Sequence, residues 1–407
     1  MFLKKLRNII LYMVAFLTSG HVFSVVNGNL CYMLIPIVLL IVLGLKLSKS
    51  RVFKRHRRNT LVVLLIIGMI LIDSISDIFF GYNFLYSAKF ALVLIFAYVF
   101  TEIISFEQFQ KDYIDSMTVI SIIAIIGYIY GIGNSFFYPW STVTNINGVH
   151  YYNKIIFFAM DDFSRGRNIG IFWEPGIFAI FIVLAMLFII FDNSEKMQKG
   201  KFITLLIALL TTVSTTGYVL MMVVLISLLI VRFRNNKVIF FIGIAGIAII
   251  SILLMSNGGI ENILMRFFPR VFSKLFDNTA SVTTRTGSIV INLQNFLEYP
   301  WGVGLTKANY LFADKMVGSQ TSTLTLYLVQ FGILGIFFVL LQLRCIYRYR
   351  YWDKLKGILF VTVWIVLMNV EITTMFSLIY IIIFYFIKDS YSINFYCGEN
   401  YVKKDNF

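Results

Sequence analysis

The chain has 407 residues, of which 59% are hydrophobic and only 14% charged, and its mean hydropathy is +0.83. Those values exclude an ordinary soluble domain of this length and leave an integral membrane protein. The formal net charge of +15 is then a matter of topology, read loop by loop, rather than the footprint of nucleic acid.

Apolar segments of roughly 15 to 22 residues predict about twelve helices. They lie near 9–27, 30–46, 60–79, 87–105, 113–132, 169–191, 202–214, 217–231, 238–255, 322–343, 357–370 and 373–388. The expected fold class is an all-α polytopic membrane protein, a single integral membrane domain over 1–407. Its opening, MFLKKLRN before an apolar run, lacks an A-x-A cleavage site and is read as a retained first helix. Small residues around Ser214 to Gly217 mark a tight turn between two short segments.

Orientation follows from the basic connections. Lys46, Lys49, Arg51, Lys54, Arg55, Arg57 and Arg58 separate the second and third helices, and Lys196, Lys199 and Lys201, then Arg232, Arg234 and Lys237, then Arg344, Arg348, Arg350, Lys354 and Lys356 recur on the same side. That side is the cytoplasm, and both termini face it. Two longer connections, 133–168 and 256–321, then face the periplasm, and the second is expected to contain short interfacial helices. It carries Arg266, Arg270, Lys274, Arg285, Lys307 and Lys315 against Glu261, Asp277, Glu298 and Asp314. A basic external loop opposes the positive-inside bias, so the expectation is an anionic ligand.

The stretch RGRNIGIFWEPG, residues 165–176, places Arg165, Arg167 and Glu174 at the mouth of an apolar helix. Pro175 suits the first helical position, and Glu174 before it is favoured by the helix dipole. The dipole disfavours the arginines there. A guanidinium pair beside free amide donors suits a phosphate or diphosphate.

The second stretch, TRTGSIVINLQNFLEYPWGVG at 284–304, sets Arg285 before an apolar segment too short to span, and Pro300, Gly302 and Gly304 then force a turn. It reads as an interfacial helix with its arginine near the headgroups. A third stretch, from Ser319, enters a helix through polar residues, and Gly332 and Gly335 permit close helix contact. Asp73 and Asp77, four apart on one helix face, are expected to pair structurally with Lys89.

Cys31, Cys345 and Cys397 are scattered, as are His21, His56 and His150, and no metal-ligand spacing appears. The adjacent Asp161 and Asp162 are too common a pattern to imply a metal. No metal and no cofactor are expected. The chain also lacks a P-loop, a dinucleotide fingerprint and a cytosolic domain, so chemistry on the outer face would draw its energy from the substrate, as a lipid-linked sugar diphosphate allows.

Arg167-x-x-Gly170-x-Phe172-x-Glu174-Pro175-Gly176, then Arg285 followed by Pro300 and Gly302-x-Gly304, then the polar-started helix with Gly332-x-x-Gly335, resemble in order the O-antigen polymerase (Wzy-type) family and its relatives, the O-antigen ligases. The Arg165-x10-Gly176 spacing looks like the arginine-glycine periplasmic loop motif of such polymerases. The resemblance covers mainly residues 160–345.

It implies a bacterial inner-membrane glycosyltransferase that joins undecaprenyl-diphosphate-linked oligosaccharides into a surface polysaccharide. Donor and acceptor are both lipid-linked, and a chain-length regulator and a flippase are possible membrane partners. Carried over to this sequence, Arg167 and Arg285, supported by Arg165 and Arg270, hold the diphosphate leaving group. Glu174 is either a general base or an orienting residue for the arginines, the latter being favoured. The ligases carry a histidine where this chain has Gln320, Thr321 and Ser322, which favours a polymerase over a ligase. A flippase for the same lipid is the main rival from another class.

Overall fold

A computed structural model describes residues 2–47, 57–131, 142–144, 150–153, 159–161, 167–192, 197–233, 279–316, 320–349 and 352–390. The described chain is predominantly helical: α1 Phe2–Leu17, α2 Val22–Val26, α3 Gly28–Leu47, α4 Arg57–Phe79, α5 Leu85–Ile103, α6 Phe106–Gly131, α7 Pro175–Phe191, α8 Lys199–Thr211, α9 Thr215–Leu228, α10 Thr279–Glu298, α11 Gly304–Lys315, α12 Thr323–Phe331, α13 Ile333–Tyr347, α14 Lys354–Leu367 and α15 Ser377–Ser390. Three of the described helices, over Thr60–Phe79, Leu85–Ile103 and Phe106–Ile129, are long and apolar enough to cross a membrane. The first long connection is not wholly irregular: β1 Thr142–Thr144, β2 His150–Asn153 and β3 Ala159–Asp161 form a small antiparallel sheet in the order β1-β2-β3.

The bundle is built around α7. All 17 of its residues are buried, so it is apolar on every side and enclosed by protein. It packs against α6, α8 and α9. Pro175 occupies its first turn as expected, where a missing amide proton costs nothing. Its other end is closed by Arg232, which donates from Nε to the Ile190 carbonyl at 2.9 Å and from a terminal nitrogen to the Ile189 carbonyl at 3.2 Å. A cation there satisfies orphan carbonyls and complements the dipole. α15 is the second enclosed helix, buried from Ser377 to Ile387 and packed on α5. Lys388 fastens the pair through Glu102 at 2.6 Å. The outer helices differ: Ile9, Leu40 and Ile78 are 56%, 70% and 72% exposed, the surface of a protein solvated by lipid.

Several predicted helices are divided. The first, expected over 9–27, ends at Leu17 and resumes as the short α2. Gly20 takes φ +81 in the gap, and a Cβ there would lie 2.9 Å from Ile177 and Phe376 side-chain atoms. The helix expected from 169 begins at Pro175, because 167–174 form a loop that bonds elsewhere. The one expected over 322–343 breaks at Gly332 (φ +59) into α12 and α13.

That break is filled by the turn at 300–302. Ile333 donates its N–H to the Pro300 carbonyl at 3.0 Å and Val303 donates to the Val329 carbonyl at 3.0 Å. A Cβ on Gly332 would lie 2.2 Å from the Pro300 oxygen, and one on Gly302 2.7 Å from the Phe331 carbonyl carbon. The two glycines therefore meet backbone to backbone. The segment predicted over 238–255 lies outside the described residues.

Asp73 and Asp77 do not pair with Lys89. Asp73, 1% exposed, accepts from the Leu305 N–H at 2.7 Å and from Gln330 Nε2 at 3.1 Å, and Asp77 accepts from the Ser87 hydroxyl. Lys89 lies instead over the rings of Tyr86 and Tyr32, at 5.2 and 5.9 Å. The reason is the Gly304 backbone, which admits α4 so closely that Asp73 reaches the first turn of α11.

Candidate active site

Three irregular segments converge at the N-terminal end of α7. The first is the loop before the helix. Asn168 anchors it, donating from its side chain to Thr211 Oγ1 at 2.9 Å while its own N–H reaches the Thr211 carbonyl at 3.0 Å. Gly170 turns the chain at φ +58, with a Cβ position only 3.0 Å from the Phe178 ring. Phe172, fully buried, stacks on Phe178 and Phe181 at 5.6 and 5.0 Å. These contacts fix the path between Arg167 and Glu174, and Glu174 becomes the N-cap residue with an extended backbone.

The second segment is the gap after α1. Val22 donates its N–H to the Ile171 carbonyl at 3.1 Å, and Trp173 donates to the Gly20 carbonyl at 3.1 Å. The third is the connection between α14 and α15. Thr323 Oγ1 donates to the Glu371 carbonyl at 2.9 Å and accepts from the Thr373 N–H at 2.8 Å. The Thr323 N–H reaches the Met368 carbonyl at 2.8 Å. The threonine at the start of α12 thus fixes the backbone of Glu371.

Glu371 is the site residue that sequence reasoning missed. Its carboxylate lies over the first turn of α7, with Oε1 3.0 Å from the position a Gly176 Cβ would take. Gly176 is required by that close approach rather than by an unusual backbone angle. Burial and the Glu174 carboxylate push Glu371 well above the usual carboxylate range, while the Arg285 and Arg167 guanidiniums draw it back. One carboxyl group therefore senses all three expected site residues. All four keep partial solvent access.

The signal for Glu371 was present: it is the one charged residue between Lys356 and Lys388. An acid in so apolar a run is a functional candidate on energetic grounds. Hydropathy places helix boundaries at 370 and 373 and so puts Glu371 in a minimal turn.

Arg285 does not precede a short interfacial helix; it lies within the 20-residue α10. That helix turns Ser288, Asn292 and Asn295, all fully buried, onto the face that meets α12. Gln320 Nε2 donates to Asn292 Oδ1 at 2.7 Å, Asn292 Nδ2 donates to Thr325 Oγ1 at 2.9 Å, and the Thr321 N–H donates to Ser288 Oγ at 3.3 Å. The polar entry to α12 is thus a seat for the arginine-bearing helix. Spacings of three and four residues on α10 carried that information.

Arg165 and Arg270 lie outside the described residues, as do Arg266 and Lys274. Of the other cations expected to mark an anionic ligand in that loop, Lys315 pairs with Glu298 at 2.7 Å and Lys307 lies 5.2 Å from the Phe80 ring centre. Pro300, Gly302 and Gly304 belong to the α12–α13 junction and to the seat of α11. Among the described residues no cluster of metal-ligating side chains occurs.

An apolar groove of about 1270 Å³ between α1, α3 and α6 leads to this end of the bundle. Its walls include Ile9, Met13, Met33 and Ile37, and it ends beside His21 and Ile171. Ile171 belongs to the loop that joins Arg167 to Glu174.

No protein-family model matches the chain, and no curated protein matches it.

Proposed function

We propose that the protein is a polymerase of lipid-linked oligosaccharides, acting on the outer face of the bacterial inner membrane as the O-antigen polymerases do. The supporting observation is that Arg167 and Arg285, from segments more than a hundred positions apart in the chain, act electrostatically on one carboxyl group, that of Glu371, while Ile171 of the loop between Arg167 and Glu174 lines an apolar groove. Guanidinium forks match the oxygens of a diphosphate, and a lipid-facing groove suits a polyprenyl tail. The acceptor sugar hydroxyl attacks the anomeric carbon of the growing chain as polyprenyl diphosphate departs. Charge then builds on the departing phosphate, where preorganised cations stabilise it most. The bond cleaved supplies the energy, so no nucleotide is needed.

One feature favours a second reading, a flippase for the same lipid. The α12–α13 interruption beside the buried Asp73 resembles the broken helices of transporters. The turn at 300–302 fills that interruption with backbone hydrogen bonds, however, and the arginines lie elsewhere. Purified protein incubated in detergent with lipid-linked oligosaccharide separates the two: a polymerase yields longer chains, and a flippase returns the substrate unchanged. Unchanged substrate under conditions where the protein is monodisperse sinks the polymerase reading.

A further inference from the structure

The entry to α12 holds more buried polar side chains than a helix start requires. One hydroxyl suffices to cap a helix, and Ser322 supplies it, accepting from the Thr325 N–H at 3.4 Å. Gln320, Thr321 and Thr323 are buried beside it. Their polar groups bond away from α12, toward two other elements.

The first is α10. Gln320 and Thr325 hold Asn292, and Thr321 holds Ser288. Ser288 and Asn292 stand three and seven positions after Arg285, on the same helix face. The seat of α10 on α12 therefore sets the height and rotation of Arg285.

The second is the α14–α15 connection, which Thr323 grips at both ends. Its N–H reaches the Met368 carbonyl at 2.8 Å, and its hydroxyl bridges the Glu371 carbonyl at 2.9 Å and the Thr373 N–H at 2.8 Å. Ser322 adds a link through the neighbouring side chain. Asn369 Oδ1 can only accept, so Ser322 Oγ donates to it at 2.5 Å, Thr325 Oγ1 donates to Ser322 at 2.5 Å, and Asn292 Nδ2 donates to Thr325 at 2.9 Å. One relay thus runs from α10 through the first turn of α12 to the residue two places before Glu371.

We propose that Thr323 is a positioning residue of the candidate site: its hydroxyl holds the Glu371 backbone so that the carboxylate meets α7 at Gly176, and the turn it belongs to keeps Arg285 in register with that carboxylate. The inference rests on the polymerase reading for its effect on activity. Glu371 Oε1 and Cγ lie 3.0 and 3.4 Å from the position a Gly176 Cβ would take, an approach that tolerates little movement of the connection. Valine at 323 fills the same space but leaves the Glu371 carbonyl and the Thr373 N–H without their shared partner, so the connection must shift to find others.

Two measurements on the purified full chain test this. The first reads geometry and needs no activity. With Gly176→Cys and Glu371→Cys together, mild oxidation should join positions 176 and 371, because the approach at Gly176 suits a disulfide. Adding Thr323→Val should slow that cross-link several-fold, and adding Thr323→Ser should return it to the parent rate.

The second reads elongation of lipid-linked oligosaccharide. Thr323→Val should lower kcat by roughly 10- to 10²-fold with a smaller change in KM, and Thr323→Ser should restore it. In a Glu371→Ala background Thr323→Val should have no further effect, because residues acting through one group are not additive. Thr323→Ala, which leaves room for a water, replaces Thr323→Val in both measurements if the valine variant does not fold.

A cross-linking rate that ignores the Thr323 hydroxyl, or an equal loss of kcat with and without the Glu371 side chain, overturns the positioning role. Hydroxyl-dependent cross-linking in a protein whose wild type elongates nothing refutes the polymerase reading and leaves the geometric part of the inference standing.

Discussion

Two helix N-termini in this molecule each receive a carboxylate from a distant segment, and they differ in everything else. At α11, Asp73 is closed off from solvent, accepts a backbone N–H and an amide, and meets a glycine that lets α4 approach. At α7, Glu371 meets Gly176 in a similar manner but keeps solvent access and shares its surroundings with two arginines and a second acid. The first carboxylate ties two helices together. The second feels two arginines and another acid at once. A buried acid in an apolar chain is thus decided by its partners and its access, not by its residue type.

The contrast can be broken by substitution, and the largest effect belongs to the structural side. Gly332→Ala should remove folded protein from detergent extracts: overpacking against the Pro300 oxygen, together with a left-handed backbone, costs on the order of 3 kcal/mol. Size-exclusion profiles and thermal melts measure it, and a normally folded Gly332→Ala protein would contradict the backbone contact.

On the functional side, Arg285→Ala and Arg167→Ala should each reduce chain elongation by on the order of 10²-fold while leaving the melting profile near wild type. Wild-type chain length from either variant, at equal expression, removes that arginine from the site. Asp73→Ala should show the reverse pattern: about 1–3 kcal/mol of stability lost through the unsatisfied Leu305 N–H and Gln330 amide, with elongation per folded molecule unchanged.

Two smaller effects sharpen the comparison. Because Glu371 holds its proton more tightly in the folded protein than in the unfolded chain, the folded state binds the extra proton. Its contribution to stability is present below the ordinary carboxylate range and is lost as pH rises through the raised titration. Melting curves of wild type against Glu371→Gln should therefore converge at low pH and separate as pH rises, with the variant the more stable. Opposite divergence would contradict the direction of the shift. Last, Lys315→Ala, which removes a pair with the half-exposed Glu298, should change stability by less than about 1 kcal/mol.

Part of the candidate site was legible: Pro175 at the start of α7 comes from a residue type with few local uses, and Arg167, Glu174 and Arg285 stand out as charges in an apolar chain. Glu371 is hard to see in the sequence because hydropathy merges a nine-residue connection with the helices on either side of it. The Asp73–Lys89 pairing failed for a related reason: spacing along the chain shows which residues share a helix face, and it does not show which other helix that face meets.

The sequence by itself determined the membrane class, the helical character and the start of α7 at Pro175, since these follow from hydropathy and backbone freedom within a few residues, whereas the breaks at Gly20 and Gly332 did not show in it. Only the tertiary structure decided that the α10 polar face seats against α12, that the 300–302 turn closes the Gly332 break, and that an acid near position 370 comes to rest beside arginines at 167 and 285. Such meetings depend on side-chain volume and backbone approach between segments far apart in the chain, which local periodicity does not encode.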